Sequence, residues 1–382
     1  MSGSKIIYLD SAATSYPKPS AVLSAMTTCM KQSGGNPGRS SHRLAIEAAR
    51  EIYQCRVAAA RLFGAEPERV IFTLNATHAL NLAIKGILRK GDHALCSDME
   101  HNSVYRPLYR LAGDGIITFD VYDTFPTAPV RTDDMILSSL VRRIRPDTKL
   151  VICAHASNIC SAILPIAKIG ALCRRMGILF AVDAAQSAGA LDINIERMNI
   201  DLLCVPGHKG LLGPQGTGML ILGKNVHPDT LMEGGNGMDS LQGEMSEDTP
   251  ERYEPGTLQT PAIAGLRAGL EFVETTDVEA IGDREKRLGA RLRDKLLTLP
   301  KVTVYAPRHE GGVVLFSVDG YTSEEIGRIL DAAGICVRAG FHCTALGHRT
   351  LRTPVDGAVR ASLGWFSGER DTDALYKVLR KL

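Results

Sequence analysis

Short apolar runs alternate with longer amphipathic stretches between residues 70 and 222. The strand-like runs are 70–72, 93–96, 150–153, 178–182, 202–205 and 218–222. Stretches of helical length lie between several of them, at residues 79–88, 104–111 and 166–176. This alternation is typical of an α/β fold with a largely parallel sheet and helices on both faces. Because ligands in such sheets bind beyond the carboxyl ends of the strands, polar residues that follow the runs are the first candidates for a functional site.

The C-terminal third has a different pattern. Residues 223–256 are rich in glycine and polar residues, which predicts ordered loops at a site or an interface. From Pro261 a helical pattern continues to about Leu299. It is followed by a strand at 313–317, a helix at 323–333 with Ser323 as the N-cap candidate, a strand at 335–338 and a helix at 373–379. This order predicts a second, α+β unit.

Composition narrows the function classes. The net charge of +2 and the 23% of charged residues give no basic or acidic stripe, which argues against nucleic-acid and membrane-surface partners. No apolar run approaches the length of a membrane span, and the N-terminus has no signal pattern, so we expect a cytoplasmic protein. The nine cysteines are odd in number and form no C-x-x-C pair, so we expect neither a disulfide framework nor a metal site.

The strongest chemical signal is a lysine among glycines, about 25 residues after an aspartate that ends an apolar run. Lys209 is flanked by Gly207 and Gly210, and Asp183 follows the run 178–182. An enzyme that uses pyridoxal phosphate (PLP) needs a lysine amine to bind the aldehyde and a carboxylate to keep the pyridine nitrogen protonated. The alternatives are a surface lysine in a glycine turn and an aspartate that caps a helix.

Other polar residues follow the predicted strands. Thr77 lies where a helix begins after a strand, and backbone N–H groups there suit a phosphate. His101 could stack on a cofactor and move protons, although a lone histidine is more often structural. Gln186 could donate to the phenolic oxygen of the ring, and His208 either stabilises the site or only fills space.

Two further signals lie near the C-terminus. Arg360 is placed in an otherwise apolar or small segment, where its planar guanidinium could bind a substrate carboxylate or form an internal salt bridge. Cys343 follows Gly340 and His342, and proximity to His342 and Arg338 would favour its thiolate. The alternative is an incidental exposed cysteine.

These residues, in this order, resemble the cysteine desulfurase/selenocysteine lyase family, the class V branch of the fold-type I PLP enzymes. The resemblance covers nearly the whole chain, from the segment at 8–14 to the segment at 359–363. Its most specific motifs are 207–209 with 213–218, and 338–343, which is similar to the group with a short cysteine loop. It implies a large PLP-binding domain with a mostly parallel seven-stranded sheet (14–262) and a small α+β domain (1–13 and 263–382) that carries the Cys343 loop.

The resemblance also implies a role for each motif residue. The cofactor residues would be Lys209, Asp183, Gln186, His101, Ala76, Thr77 and His208, together with Thr257, which would reach the site of a neighbouring subunit in a homodimer. The substrate residues would be Asn158, Arg360, Asn36 and Arg338. Lys209, His101 and Cys343 would be catalytic.

The implied reaction converts L-cysteine to L-alanine and leaves the sulfur as a persulfide on Cys343, from which an acceptor protein takes it. A selenocysteine lyase is the alternative; an aminotransferase or a scaffold that has lost its chemistry fits less well. The chain departs from the family pattern in two places. Pro206 stands where relatives usually have a hydroxyl that donates to the phosphate. Thr344-Ala345 follows Cys343, where relatives often carry Ala-Pro.

Overall fold

The computed structural model describes residues 6–38, 41–128, 130–237, 241–305 and 310–382. The elements are, in chain order, β1 (Ile7–Tyr8), α1 (Ser20–Gln32), α2 (Arg43–Phe63), β2 (Val70–Thr73), α3 (Ala76–Ile87), β3 (His93–Ser97), α4 (Asn102–Gly113), β4 (Thr118–Tyr122), α5 (Asp133–Val141), β5 (Thr148–Ala154), α6 (Ile166–Met176), β6 (Leu179–Asp183), β7 (Leu202–Pro206), β8 (Gly218–Leu222), α7 (Thr260–Thr276), α8 (Val278–Leu296), β9 (Val302–Tyr305), β10 (Val313–Val318), α9 (Ser323–Ala332), β11 (Ile335–Cys336), β12 (Arg338–Gly340), α10 (Ala345–Leu351), β13 (Ala358–Ser362) and α11 (Glu369–Leu379).

A seven-stranded sheet with the order β2-β8-β7-β6-β5-β3-β4 forms the centre of the molecule. Strand β8 runs antiparallel to both of its neighbours, and the other pairs are parallel. Apolar clusters cover both faces, which explains why strands such as β7 read as continuous apolar runs rather than alternating ones. The predicted α/β fold with a mostly parallel sheet is confirmed.

A second, antiparallel sheet has the order β12-β13-β10-β9, and its core includes residues of α8, α9 and α11. The N-terminal strand β1 pairs with β11, and Asp10 forms a bridge with Ser362 of β13, so the first residues of the chain lie beside this sheet. The domain boundaries given above stay a prediction. Within the described ranges no helix is both long and apolar enough to cross a bilayer.

Some boundaries differ from the sequence prediction. The single long helix predicted from Pro261 is two helices, α7 and α8, because Asp277 between them has a φ of 80° and its carboxylate accepts from the N–H of Glu279. Helix α9 is capped by Thr322 rather than Ser323, since Thr322 and Glu325 form a reciprocal capping box. The predicted strand at 335–338 is divided between β11 and β12, which lie in different sheets.

A buried ion pair holds the loop that follows β8. Arg56 of α2 and Glu254 are joined by two hydrogen bonds of 2.9 and 2.5 Å, and their side chains are less than a tenth exposed. Arg56 also donates to the carbonyl of Val70 and lies 4.6 Å from the ring centroid of Phe72, while the Phe72 N–H donates to Glu254. The pair therefore fixes the segment that carries Thr257 against α2 and β2.

Replacing Glu254 with alanine should lower the free energy of unfolding by about 3–5 kcal/mol, because it leaves the Arg56 guanidinium buried without its partner. Urea denaturation followed by circular dichroism measures this change. The matched control is Arg110→Ala, which removes an exposed ion pair with Asp114 and should cost less than about 1 kcal/mol. Equal losses in the two variants would contradict this account of the loop.

Candidate active site

Lys209 lies in the turn after β7, in contact with the turn after β6. A Cβ atom at Gly210 would lie 2.3 Å from the carbonyl oxygen of Ala188, so the two turns approach as closely as glycine allows. Lys209 lines a cleft of about 520 Å³ at the carboxyl ends of the strands. Within the described residues its amine has no hydrogen-bond partner, and burial lowers its pKa to about 8. Such an amine is suited to act as a nucleophile near neutral pH.

Asp183 ends β6 and lines the same cleft. Its carboxylate accepts from the Ala185 N–H at 2.9 Å through Oδ1, and none of the described residues donates to Oδ2. Burial raises the pKa of this carboxyl group, an effect that the Ala185 N–H and the Lys209 cation partly offset. A buried carboxylate with one free oxygen would be stabilised by a cationic N–H group in the cleft.

The N-terminus of helix α3 lies at the same cleft. Its N-cap residue, Asn75, accepts from the His78 N–H at 2.9 Å, which leaves the N–H groups of Ala76 and Thr77 without an intrahelical partner. Ala76, Thr77 and His208 line the cleft here. Burial lowers the pKa of His208 to about 4, and its Nδ1 lies 3.0 Å from Thr14 Oγ1. This end of the cleft is therefore suited to an anion such as a phosphate.

Ser103 is a cleft residue that sequence reasoning missed. Its hydroxyl lies 2.7 Å from Thr77 Oγ1 and 2.8 Å from His101 Nδ1, and its N–H donates to the same Nδ1 at 3.1 Å. Nδ1 of His101 is thus an acceptor and the ring is neutral, in agreement with a pKa lowered to about 4, chiefly by burial. Pro206 lines this cleft without a hydroxyl, so Ser103 supplies one near the predicted phosphate position.

Ser15 and Lys18, which the sequence analysis also missed, hold the turn that carries Lys209. The carbonyl oxygen of His208 accepts from Lys18 Nζ at 2.8 Å and from the N–H and hydroxyl of Ser15, both at 3.1 Å. The Ser15 hydroxyl is also 2.9 Å from the carbonyl oxygen of Lys209. Lys18 makes no ion pair within the described residues, and burial lowers its pKa to about 8. The N-terminal segment therefore fixes the backbone on both sides of the catalytic candidate.

A second cavity, of about 910 Å³, meets the cleft at Lys209 and Gln186. Gln186 Nε2 donates to the carbonyl oxygen of Ala12 at 3.0 Å, which holds the side chain between the two spaces. The far wall includes Glu285 of α8 and Trp365, so this cavity lies between the central sheet and the C-terminal part. It gives a substrate a route to Lys209.

Arg360 forms an internal salt bridge, which the sequence analysis gave as the alternative to binding a substrate carboxylate. Its NH2 group is 2.8 Å from Asp10 Oδ1, and its NH1 group donates to the carbonyl oxygen of Asn158 at 3.1 Å. Its Nε has no hydrogen bond among the described residues. Arg338 lies opposite Arg360 across the β12–β13 pair. Two guanidinium groups beside the single carboxylate of Asp10 leave a net positive charge that can bind a substrate carboxylate.

Cys343 lies on a tight turn before α10. It is exposed, whereas Cys336 is half-buried and the seven other cysteines are buried. Both His342 and Cys343 have left-handed backbone, with φ of 53° and 56°. The Asn102 N–H, at the start of α4, donates to the Cys343 carbonyl at 2.7 Å. This hydrogen bond joins the backbone of the cysteine turn to the start of α4, directly after His101.

The expectation that His342 favours the thiolate is wrong. The His342 ring is buried, with Nε2 3.1 Å from the Arg338 carbonyl and Nδ1 3.1 Å from Nε2 of His348. The two rings stack at 5.3 Å, and burial lowers the pKa of His342 to about 3. A neutral ring with both nitrogens engaged places no positive charge beside the thiol. The contribution expected from Arg338 stays a prediction.

Asn36 and Thr257 do not line the Lys209 cleft of their own chain. Their side chains lie 3.4 Å apart in a separate surface cavity next to α2. Every other predicted cofactor residue lines the cleft, as does Asn158. Across the described part of the chain, no group of three histidine, cysteine or acidic side chains could hold a metal ion.

The fold and this cleft define a fold-type I architecture of the kind that binds PLP. The family model for aminotransferase class-V matches residues 7–375, so the chain belongs to that family. It is 30% identical to a probable cysteine desulfurase of Methanothermobacter thermautotrophicus, over 98% of this chain and 94% of the relative. It is 32% identical to a probable cysteine desulfurase of Halalkalibacterium halodurans, over 100% and 94%. The apo structure of a cysteine desulfurase from Thermococcus onnurineus NA1 matches with a TM-score of 0.89 at 29% identity, over 99% of this chain and 94% of that one.

The amine of Lys209 should titrate near pH 8 in the cofactor-free protein. Its pKa is lowered, so the reactive free amine is present above about pH 8 and is lost as the pH falls through that value. Competitive acetylation at a series of pH values, read by mass spectrometry of the Lys209 peptide, measures the midpoint. Other lysine peptides of the same digest are the reference. A midpoint near 10.4, the ordinary value, would show that the amine is not buried as described.

Proposed function

We propose that this protein is a PLP-dependent cysteine desulfurase that moves sulfur from L-cysteine to Cys343. The observation that carries the proposal is an exposed thiol on a turn whose carbonyl accepts the first N–H of α4, directly after the cleft residue His101. A class V enzyme that only exchanged amino groups would need no such thiol. The names of the relatives support the same activity.

The residues of the cleft fit PLP. Among the described residues, none binds the Lys209 amine, which is available for the aldehyde, and none donates to Asp183 Oδ2, which is available for the ring nitrogen. The N–H groups of Ala76 and Thr77 would hold the phosphate, with His208 beside them. His101 would stack on the ring and Gln186 would contact its oxygen. When bound, PLP supplies an electron sink that stabilises negative charge at the substrate α-carbon.

The side chains then divide the work. Arg360, Arg338 and Asn158 bind the substrate carboxylate, and the displaced Lys209 amine takes the α-proton. The thiolate of Cys343 attacks the substrate sulfur; an S–S bond forms and the C–S bond breaks. The C–S electron pair remains on the substrate β-carbon, which takes up a proton. Return of a proton to the α-carbon completes L-alanine, and His101 would deliver one of these two protons. Cys343 is left as a persulfide, and no external oxidant is needed.

We also infer a homodimer in which Asn36 and Thr257 complete the site of the partner. Their shared cavity is separate from the cleft of their own chain, and α2 beside it exposes Leu44, Ile46 and Tyr53. Apolar side chains exposed together in this way mark an interaction surface. Cys343 is exposed, which suits delivery to a sulfur-acceptor protein. Nine unpaired cysteines fit a reducing, cytoplasmic setting.

Replacing Cys343 with alanine should abolish alanine formation from L-cysteine, because Cys343 is the one exposed cysteine among the described residues. Lys209→Ala should lose both turnover and the visible absorbance of the bound cofactor. Alanine release from L-cysteine and from L-selenocysteine is measured for wild type and both variants. Cysteine turnover that survives in Cys343→Ala would reject the proposal. Turnover of selenocysteine alone by the wild type would indicate a selenocysteine lyase.

Ser103→Ala should weaken PLP binding about fivefold, since it removes a hydrogen bond worth about 1 kcal/mol that orients the Thr77 hydroxyl. The backbone N–H of residue 103 still donates to His101, so the ring keeps its tautomer. Fluorescence titration of the cofactor-free protein with PLP measures the dissociation constant. The control is Ser323→Ala, which removes a buried hydroxyl in the first turn of α9 that donates to the Asp356 carbonyl. An unchanged constant in Ser103→Ala would exclude this role.

A further inference from the structure

Thr344 occupies the N-cap position of α10 but does not cap the helix. Threonine at this position usually accepts a hydrogen bond from the second or third N–H of the helix. Here no such bond forms, and the Thr344 side chain is fully buried. A buried hydroxyl that is not used for capping must be satisfied elsewhere. Its partner therefore shows what this residue does.

The partner is the amide of Asn158. Thr344 Oγ1 donates to Asn158 Oδ1 at 2.7 Å, and a carbonyl acceptor, that of His342, lies farther away at 3.2 Å. A hydroxyl has one proton, so the shorter contact takes it. Asn158 Nδ2 donates to the His342 carbonyl at 3.0 Å. Both polar atoms of this amide are thus engaged by the cysteine turn, and the contacts fix which way the amide points.

The cysteine turn needs such contacts. His342 and Cys343 both have left-handed backbone, although neither is glycine. This conformation is strained and persists only where the surrounding structure holds it. Two hydrogen bonds join the turn to segments that follow strands of the seven-stranded sheet. The Asn158 amide donates to the His342 carbonyl, and the Asn102 N–H donates to the Cys343 carbonyl. Asn158 also lines the Lys209 cleft.

We propose that Thr344 is a positioning residue that, through Asn158, fastens the Cys343 turn to the loop after β5. Asn158 then has two roles. It holds the thiol-bearing turn, and its second Nδ2–H, which has no acceptor among the described residues, would bind the substrate carboxylate. Carboxylate binding and thiol presentation are thereby coupled. This inference rests on the proposed desulfuration at Cys343 for its purpose, but the fastening itself can be measured without turnover.

The test is the rate at which iodoacetamide alkylates Cys343 in the PLP-loaded protein, followed by mass spectrometry. Thr344→Val keeps the volume and the methyl group that packs near Gly347, but removes the hydroxyl. Alkylation should become about three- to tenfold faster, as expected for the loss of one buried hydrogen bond. Thr344→Ser keeps the hydroxyl and should restore nearly the wild-type rate. The KM for L-cysteine should rise in Thr344→Val and recover in Thr344→Ser.

Thr372→Val is the matched control, since Thr372 is equally buried and donates its hydroxyl to the Glu369 carbonyl in α11. It should lower stability without changing the alkylation rate. A wild-type rate in Thr344→Val overturns the proposal, and so does equal acceleration in Thr344→Val and Thr372→Val, which would indicate general loosening. If valine prevents folding, Thr344→Ala replaces it with the same expectations. A protein that does not turn over cysteine but shows the expected alkylation pattern would refute the proposed function and retain the fastening.

Discussion

The structure depends on the burial of opposite charges at the carboxyl edge of the central sheet. Lys209 and Asp183 enter the cleft from neighbouring strand ends, and each lacks a full set of partners within the described residues. Ionised groups are costly to bury unless they are paired, so the fold keeps a site suited to an occupant that reacts with the Lys209 amine and places a cationic group beside Asp183. The close backbone contact at Gly210 and the hydrogen bonds from Ser15 and Lys18 to the lysine turn hold this arrangement.

Much of the site could be predicted from the chain because the sheet is parallel. Parallel strands bring their carboxyl ends to one edge, so residues far apart in sequence, such as Thr77 and Asp183, were expected in one place and share one cleft. Buried strands such as β8 have strong apolar patterns, and their bounds were predicted to within a residue or two. The break at Asp277 was missed because amphipathic periodicity continues across it from α7 to α8.

What could not be predicted depends on side-chain contacts between distant segments. Ser103 reads as an ordinary residue of a first helical turn until its hydroxyl is seen between Thr77 and His101. His342 was expected to favour a thiolate, but its neutral state follows from burial and from His348, six residues later. Local sequence shows neither the burial nor the partner of a group, and these two properties set its charge.

The first residues of the chain connect three parts of the molecule. Strand β1 joins β11, Asp10 binds Arg360, and the segment at 14–18 then reaches the carbonyl oxygens of His208 and Lys209. This short stretch links the C-terminal sheet to the lysine turn. A rearrangement that loosened Arg360 would also move the segment that holds the lysine backbone, so the two ends of the substrate site are linked through the turns and bends from Asp10 to Lys18.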